Sequence, residues 1–175
     1  MKLTLTRTLS SPDGTIGWLT CEGEDIALAT REARMPRTEG AYISKCLPPA
    51  TYRLTPEKVL ATINGVQIRI WWPMFEPVKW FPQASFVSSN GKKRSGAIGI
   101  GMDTDGYNIT DCESAKVVFT RWMKKAIDAD EDIELEIVES KDMDFVEETK
   151  EQQDERLAEE ERQAKVDETM KWLYG

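Results

Sequence analysis

The dipeptide Asn64-Gly65 is the feature that most constrains the fold of this chain. It suits a two-residue type I′ turn, because both central residues of that turn need positive φ, and such turns join the strands of a β-hairpin. The flanking segments, 60–63 and 66–72, are rich in apolar residues, and in the second flank they alternate with polar ones. Period-two alternation is typical of a strand with one buried face. We therefore predict an antiparallel hairpin centred on residues 64–65.

Similar short segments recur through the first 138 residues and are separated by turn residues. Ser-Pro-Asp-Gly at 11–14 and Ser-Asn-Gly-Lys at 89–92 are typical tight turns. The segment 71–82, WWPMFEPVKWFP, contains three prolines and therefore cannot be a central strand. Beyond the hairpin, strands are predicted at 3–9, 15–20, 25–30, 51–54, 85–88, 97–101 and 132–138, with a loop at 31–40.

One helix is predicted within this region, at residues 112–126. Its apolar residues recur at helical spacing along one face. Thr110 and Glu113 precede and open it as a capping box, in which each side chain bonds the other residue's backbone N–H. The predicted fold is therefore mainly β, a β-sandwich or barrel-like domain with one packed helix over 1–138, followed by a C-terminal α-helical tail at 139–175.

The tail differs from the domain in charge and in its lack of helix breakers. It has no Pro or Gly between 139 and 174, and it holds 13 Asp and Glu against 6 Lys and Arg, so it carries −7 of the total charge of −8. Between 147 and 165 only Leu157 is large and apolar, too little for extensive packing. Two interpretations stand: a solvated helix, or a tether whose tip binds a partner. The predicted partner-binding residues are Val166, Met170, Trp172 and Leu173.

Composition excludes several classes of function. The chain has no histidine, which rules out Ser-His-Asp catalysis, Cys-His catalysis and His-ligated metal sites within it. Its cysteines, Cys21, Cys46 and Cys112, are too widely spaced for a zinc site and odd in number, so reduced thiols are expected. A net charge near −1 over 1–138 gives no basic footprint for nucleic acid. No apolar run suits a membrane span or a signal peptide, and no cofactor or metal is expected.

The densest candidate motif is Gly99-Ile100-Gly101 followed by Asp103-Thr104-Asp105-Gly106. The second part begins like a calcium loop, but Ser114 stands where an EF-hand requires glutamate. A turn rich in Asp and Gly is therefore the favoured interpretation. The Gly-x-Gly lacks the third glycine of a dinucleotide site.

These motifs occur in an order that resembles a small uncharacterised family of phages and bacteria with an L,D-transpeptidase-like layout. The matching segments lie within about residues 3–126. They are Leu5-Thr6-Arg7, Gly14-Thr15-Ile16-Gly17, Arg31-Glu32-Ala33-Arg34, Pro48-Pro49-Ala50-Thr51-Tyr52 and Asp103-Thr104-Asp105-Gly106. Members of this family carry Ile-His-x-Gly-Asn, then Asp-Thr-x-Gly-Cys, then a helix.

The chain departs from the family at the catalytic pair. In L,D-transpeptidases a cysteine thiolate attacks the peptide and a nearby histidine activates it. Here Tyr107 stands in place of the cysteine, and the histidine segment is shortened to Ile98-Gly99-Ile100-Gly101. Cys112 lies five residues after Tyr107, beside a predicted helix start that could lower the pKa of its thiol. The resemblance therefore implies a degenerate site, with Asp103, Asp105, Tyr107 and Cys112 as its candidate residues.

The sequence thus favours a non-catalytic phage protein, a virion structural or assembly component located in the virion or in the host bacterial cytoplasm. Its expected partner is a protein or another copy of the chain, through the tail. The alternative is an enzyme-like protein that acts on or binds peptidoglycan, with substrate held near Asp103–Tyr107 and Cys112.

Overall fold

The computed structural model describes residues 1–35, 45–91, 94–146 and 149–174, which form ten strands and two helices. The strands are β1 (Lys2–Ser11), β2 (Gly14–Cys21), β3 (Leu28–Glu32), β4 (Thr51–Ile63), β5 (Val66–Phe75), β6 (Ser85–Val87), β7 (Ala97–Gly101), β8 (Asp103–Thr104), β9 (Ile109–Thr110) and β10 (Ile133–Phe145). The helices are α1 (Cys112–Asp128) and α2 (Lys150–Tyr174). The predicted mainly β fold with one packed helix and a helical tail is confirmed.

Eight strands form one mixed sheet in the order β5-β4-β10-β1-β2-β3-β7-β6, and β8 pairs with β9 in a small separate hairpin. The two ends of the large sheet approach each other, because Trp72 on β5 donates its indole N–H to the carbonyl of Phe86 on β6 at 3.1 Å. Phe75 on β5 also stacks on Phe86, with ring centroids 5.4 Å apart. The sheet is therefore curled, as a barrel-like arrangement requires.

Helix α1 closes the concave face of this sheet. Its buried residues are Ala115, Phe119, Trp122, Met123 and Ala126, the stripe that the helical spacing predicts. Phe119 is the centre of an aromatic cluster, with ring centroids 4.9 Å from Phe86 and 5.3 Å from Trp72. The same core takes alternate residues of the central strands, including Leu3, Leu5, Leu19, Leu28, Ile98, Ile100 and Leu135.

The hairpin at Asn64-Gly65 is confirmed, with φ of 51° and 76° at its two turn residues. It joins two long strands paired without a break from Ile63↔Val66 to Leu54↔Phe75. The sequence predicted two shorter segments, 51–54 and 60–63, where the structure has the single strand β4. Pro56 and Pro73 face each other in the pairing. Both are tolerated because they lie at free strand edges: β10 pairs only with residues 51–54 of β4, and β5 is the terminal strand.

Other boundaries also differ from the predictions. Strand β3 ends at Glu32 instead of 30, so residues 31 and 32 of the predicted loop at 31–40 belong to the strand. Residues 33–35 lie outside any strand, and residues 36–44 lie outside the described residues. The predicted capping box at α1 is wrong. The N-cap is Asp111, whose carboxylate accepts from Ser114 N at 3.3 Å, whereas Glu113 accepts from the backbone N–H of Asn64 in the hairpin turn.

The predicted domain boundary at 138 lies inside strand β10. That strand continues to Phe145, and its last part pairs in parallel with β1, for example Leu9↔Asp144 and Ser10↔Phe145. A backbone bond from Val146 N to Ser10 O, 2.9 Å long, extends the pairing by one residue. The helical tail therefore begins at Lys150. The sequence did not predict the strand beyond 138, because charged residues at 139, 141, 142 and 144 interrupt the apolar alternation.

Candidate functional site

The candidate residues Asp103 and Asp105 lie on the small hairpin formed by β8 and β9. The carboxylate of Asp105 accepts the backbone N–H groups of Tyr107 at 2.8 Å and Asn108 at 2.7 Å, which folds the connecting loop. These two hydrogen bonds hold the pKa of Asp105 below its usual value. Asp103 accepts from its neighbour Thr104 N at 2.8 Å. Both carboxylates thus serve local turn geometry, as the interpretation of this motif as a turn predicted.

Arg31 lies beneath this hairpin and joins it to the sheet. Its guanidinium is buried, donates to the side-chain oxygen of Asn108 at 2.7 Å and donates to the carbonyl of Asp13 at 2.6 Å. Burial lowers the pKa of Arg31, and the charges of Asp13 and Asp105 oppose that change. The arginine therefore fixes the position of the candidate hairpin.

Tyr107 and Cys112 occupy different parts of this region. Tyr107 is exposed in the loop of the hairpin, whereas Cys112 is the first residue of α1 and is half-buried. The pKa of the Cys112 thiol is raised, first by burial and then by the charge of Asp111. The expectation that the helix start lowers this pKa is therefore wrong, because burial, and after it the charge of the Asp111 carboxylate, raises the pKa. A raised pKa disfavours the thiolate that nucleophilic attack requires.

The backbone of another loop fills the space beside Gly99. A Cβ at this position would overlap the carbonyl oxygen of Ser89, and a Cβ on Gly91 would come 2.8 Å from Gly99 N. The loop is also tied to the candidate hairpin, since the Asn90 side chain accepts from Ile109 N at 2.8 Å. Gly99 therefore has no room for a side chain.

A buried ion pair that the sequence analysis did not predict joins β1 to β3. Arg7 on β1 donates Nε to Glu32 Oε2 at 2.8 Å, and its Nη2 donates both to Glu32 Oε1 at 2.7 Å and to Leu47 O at 2.6 Å. Both side chains are almost fully buried. Burial opposes the charged form of Arg7, but the charge and hydrogen bonds of Glu32 outweigh it and raise the arginine pKa. The one feature of the sequence that could have indicated this pair is Arg7, a charged residue on the apolar face of β1.

Helix α2 exposes the predicted partner-binding residues. No residue of α2 is buried, and Trp172 is 83% exposed. Val166, Met170 and Leu173, one helical turn apart, are each about half exposed, and Tyr174 extends the apolar tip. The helix begins with a capping box that the sequence analysis missed: Thr149 accepts from Gln152 N at 3.2 Å, and Gln152 accepts from Thr149 N at 3.0 Å. The pattern Thr-x-x-Gln was its signal.

An open apolar groove of about 380 Å³ lies between the β4–β5 hairpin, β6 and α1. Lys116 on α1 closes one side and donates to Thr62 O at 3.0 Å. Its apolar lining includes Val59, Ala61, Ile70, Trp72, Phe86 and Val87.

No family model matches the chain, and comparisons with curated proteins and with solved structures gave no match. Within the described ranges, no group of three or more Cys, Asp or Glu is placed to hold a metal ion. Neither helix of the described chain is long and apolar enough to cross a membrane.

Proposed function

We propose that this chain is a non-catalytic structural or assembly component of a phage particle. In this proposal the β-rich domain, with its L,D-transpeptidase-like order of motifs, serves as a scaffold, and helix α2 attaches it to a protein partner. The observation that most supports it is the backbone of Ser89 against Gly99. Residues 98–101, which the resemblance places at the family's histidine segment, contain no histidine and leave no room for a side chain at Gly99.

The properties of Cys112 also favour a non-catalytic role. A transferase of this kind needs a thiolate and a base that generates it. Burial and the Asp111 carboxylate raise the pKa of Cys112, and the chain has no histidine to accept its proton. Tyr107, at the position of the family's cysteine, is a phenol exposed in a loop.

The exposed tip of α2 supports the attachment role. No residue of α2 is buried, so four large apolar side chains within eight residues remain exposed to water. Covering a patch of a few hundred Å² would contribute several kcal/mol at roughly 25 cal/mol per Å², before the costs of ordering. This tip suits the apolar groove of a partner protein.

The attachment is tested with particles or with partner capture from the host lysate. Changing Met170, Trp172 and Leu173 together to serine should abolish incorporation into particles and recovery of the partner. The matched control changes Glu159, Glu160 and Glu161 to glutamine on the same helix, and it should retain both. Unchanged incorporation of the serine variant would show that α2 is not the attachment.

The rival function, action on peptidoglycan, is tested separately. The purified chain should neither crosslink nor hydrolyse peptidoglycan fragments. A product that forms with the wild-type chain and disappears with Cys112→Ala would overturn the proposal and establish an enzyme in its place.

A further inference from the structure

The first half of strand β5 is an unprotected edge of the sheet. Strand β5 is terminal in the strand order and pairs only with β4 among the described strands. Within 66–70 it carries one charge, Arg69, and Val66 and Ile68 are 59% and 41% exposed. Exposed, apolar strand edges tend to pair with another chain unless charges or prolines protect them. The edge of β10 beyond Glu136 shows such protection, since residues 139, 141, 142 and 144 are charged.

The type I′ turn determines which backbone groups of β5 point outward. In a two-residue hairpin the residues flanking the turn, Ile63 and Val66, form a hydrogen-bonded pair. The unbroken register then directs the backbone groups of even-numbered residues of β5 toward β4. The N–H and C=O of Gln67, Arg69 and Trp71 therefore point away from the sheet. Pro73 is also in the outward set, and it has no N–H to offer.

We propose that β5 pairs antiparallel with β5 of a second copy of this chain, about a two-fold axis through Ile68. This register places Gln67 opposite Arg69 of the partner, and both residues present outward backbone groups. Val66 then stands opposite Ile70, and Ile68 opposite its own copy. The apolar faces of the two hairpins become continuous, with no like charges opposed. The inference does not depend on the proposed function.

Other symmetric registers are less favourable. An axis through Arg69 would place two arginines opposite each other, which is destabilising. An axis through Ile70 would pair Gln67 with Pro73, which cannot donate. Beyond Ile70, moreover, Trp72 is already bonded to Phe86 on β6. In the register about Ile68, the outward N–H and C=O groups of both Gln67 and Arg69 are paired, and the pairing ends before Trp72.

Cysteine crosslinking tests the register. Across the proposed axis, Ile68 and its copy form a non-hydrogen-bonded pair with Cα atoms about 4.5 Å apart, a spacing that suits a disulfide. Ile68→Cys should therefore form a disulfide-linked dimer under mild oxidation. Val66→Cys is the matched control on the same face of the strand. It should remain uncrosslinked, because its copy is four residues farther along, about 14 Å away.

Sedimentation and light scattering test the dimer without a disulfide. The wild-type chain should show twice the 19.9 kDa mass of one chain as its concentration is raised. Gln67→Pro removes an outward N–H that the hairpin itself does not use, so the variant should stay folded by circular dichroism but remain monomeric. Leu60→Gln, at an exposed position of β4 opposite Arg69, adds no charge and should still dimerise.

Three results would overturn the proposal: a wild-type chain that stays monomeric, equal crosslinking of Val66→Cys and Ile68→Cys, or a Gln67→Pro variant that dimerises like the wild type. The proposed dimer uses β5 and not α2, so the variant with serine at Met170, Trp172 and Leu173 should dimerise like the wild type. The dimer and the attachment through α2 can therefore fail separately.

Discussion

The β-rich domain and helix α2 differ in what they expose to water: the domain buries a pair of charges, whereas the helix leaves large apolar side chains exposed. In the domain, Arg7 and Glu32 are removed from water and held by three hydrogen bonds. In α2, ion pairs such as Arg156–Glu160 lie on a solvated helix, while Trp172 and Leu173 remain in water. A buried pair imposes one arrangement on the chain around it, since each charge is costly without the other. The tail has no such constraint, so capping and helix propensity determine its structure.

The largest expected effect is at the buried pair. Glu32→Ala leaves the Arg7 guanidinium buried without its counter-charge, which should lower the free energy of unfolding by about 3–5 kcal/mol. The matched control is Glu136→Ala, which breaks an exposed pair with Lys2, 2.6 Å long, and should cost less than about 1 kcal/mol. Urea titrations of the two variants measure the difference. Equal losses would show that burial does not distinguish the two pairs.

The next effect is at the hairpin turn. Gly65 has φ of +76°, and a Cβ added there would meet no atom within 4 Å, so Gly65→Val should destabilise through backbone strain alone. The expected cost is about 1–2 kcal/mol. Gly65→Asn is the control, because asparagine tolerates positive φ, and it should retain most of the stability. A thermal melt in which valine and asparagine behave alike would contradict the torsional explanation.

The burial of the Cys46 thiol should make the stability of the domain depend on pH in the alkaline range. Burial raises the pKa of Cys46 from 9.0 to about 12, ahead of the effect of Glu32. Above pH 9 the unfolded chain therefore loses a proton that the folded chain keeps, so stability falls as the pH rises through this window. The loss should reach about 1 kcal/mol by pH 10. Cys46→Ala should remove this part of the pH dependence in urea titrations at pH 8 and pH 10. An identical slope in both proteins would contradict it.

The sequence predicted those parts of the fold that local patterns determine. The Asn64-Gly65 turn, the stripe of α1 and the exposed tail tip follow from φ preference and periodicity. It did not predict Arg7 with Glu32, because 25 residues separate them and a pairing across strands leaves no local trace. It also ended β10 too early, because the pairing with β1 is interrupted after Glu139 and resumes only at Asp144, and no apolar alternation marks the residues between them. At the candidate site, the turn role of Asp105 was predictable, whereas the contact of Ser89 with Gly99 depends on tertiary packing.

The smallest effect is expected from removing α2, and a second cut sharpens the comparison between domain and tail. A chain ending at residue 149 loses a helix with no buried residue, so its melting temperature should change by no more than about 2 °C. A chain ending at residue 138 also loses the pairing of Glu139, Asp144 and Phe145 with β1, and it should melt clearly lower. The strand is then part of the folded unit and the helix is not. If the two truncated chains melt together near the wild-type temperature, the last part of β10 adds nothing to the domain. If both melt low, α2 packs on the domain in solution and its apolar tip is not free for a partner.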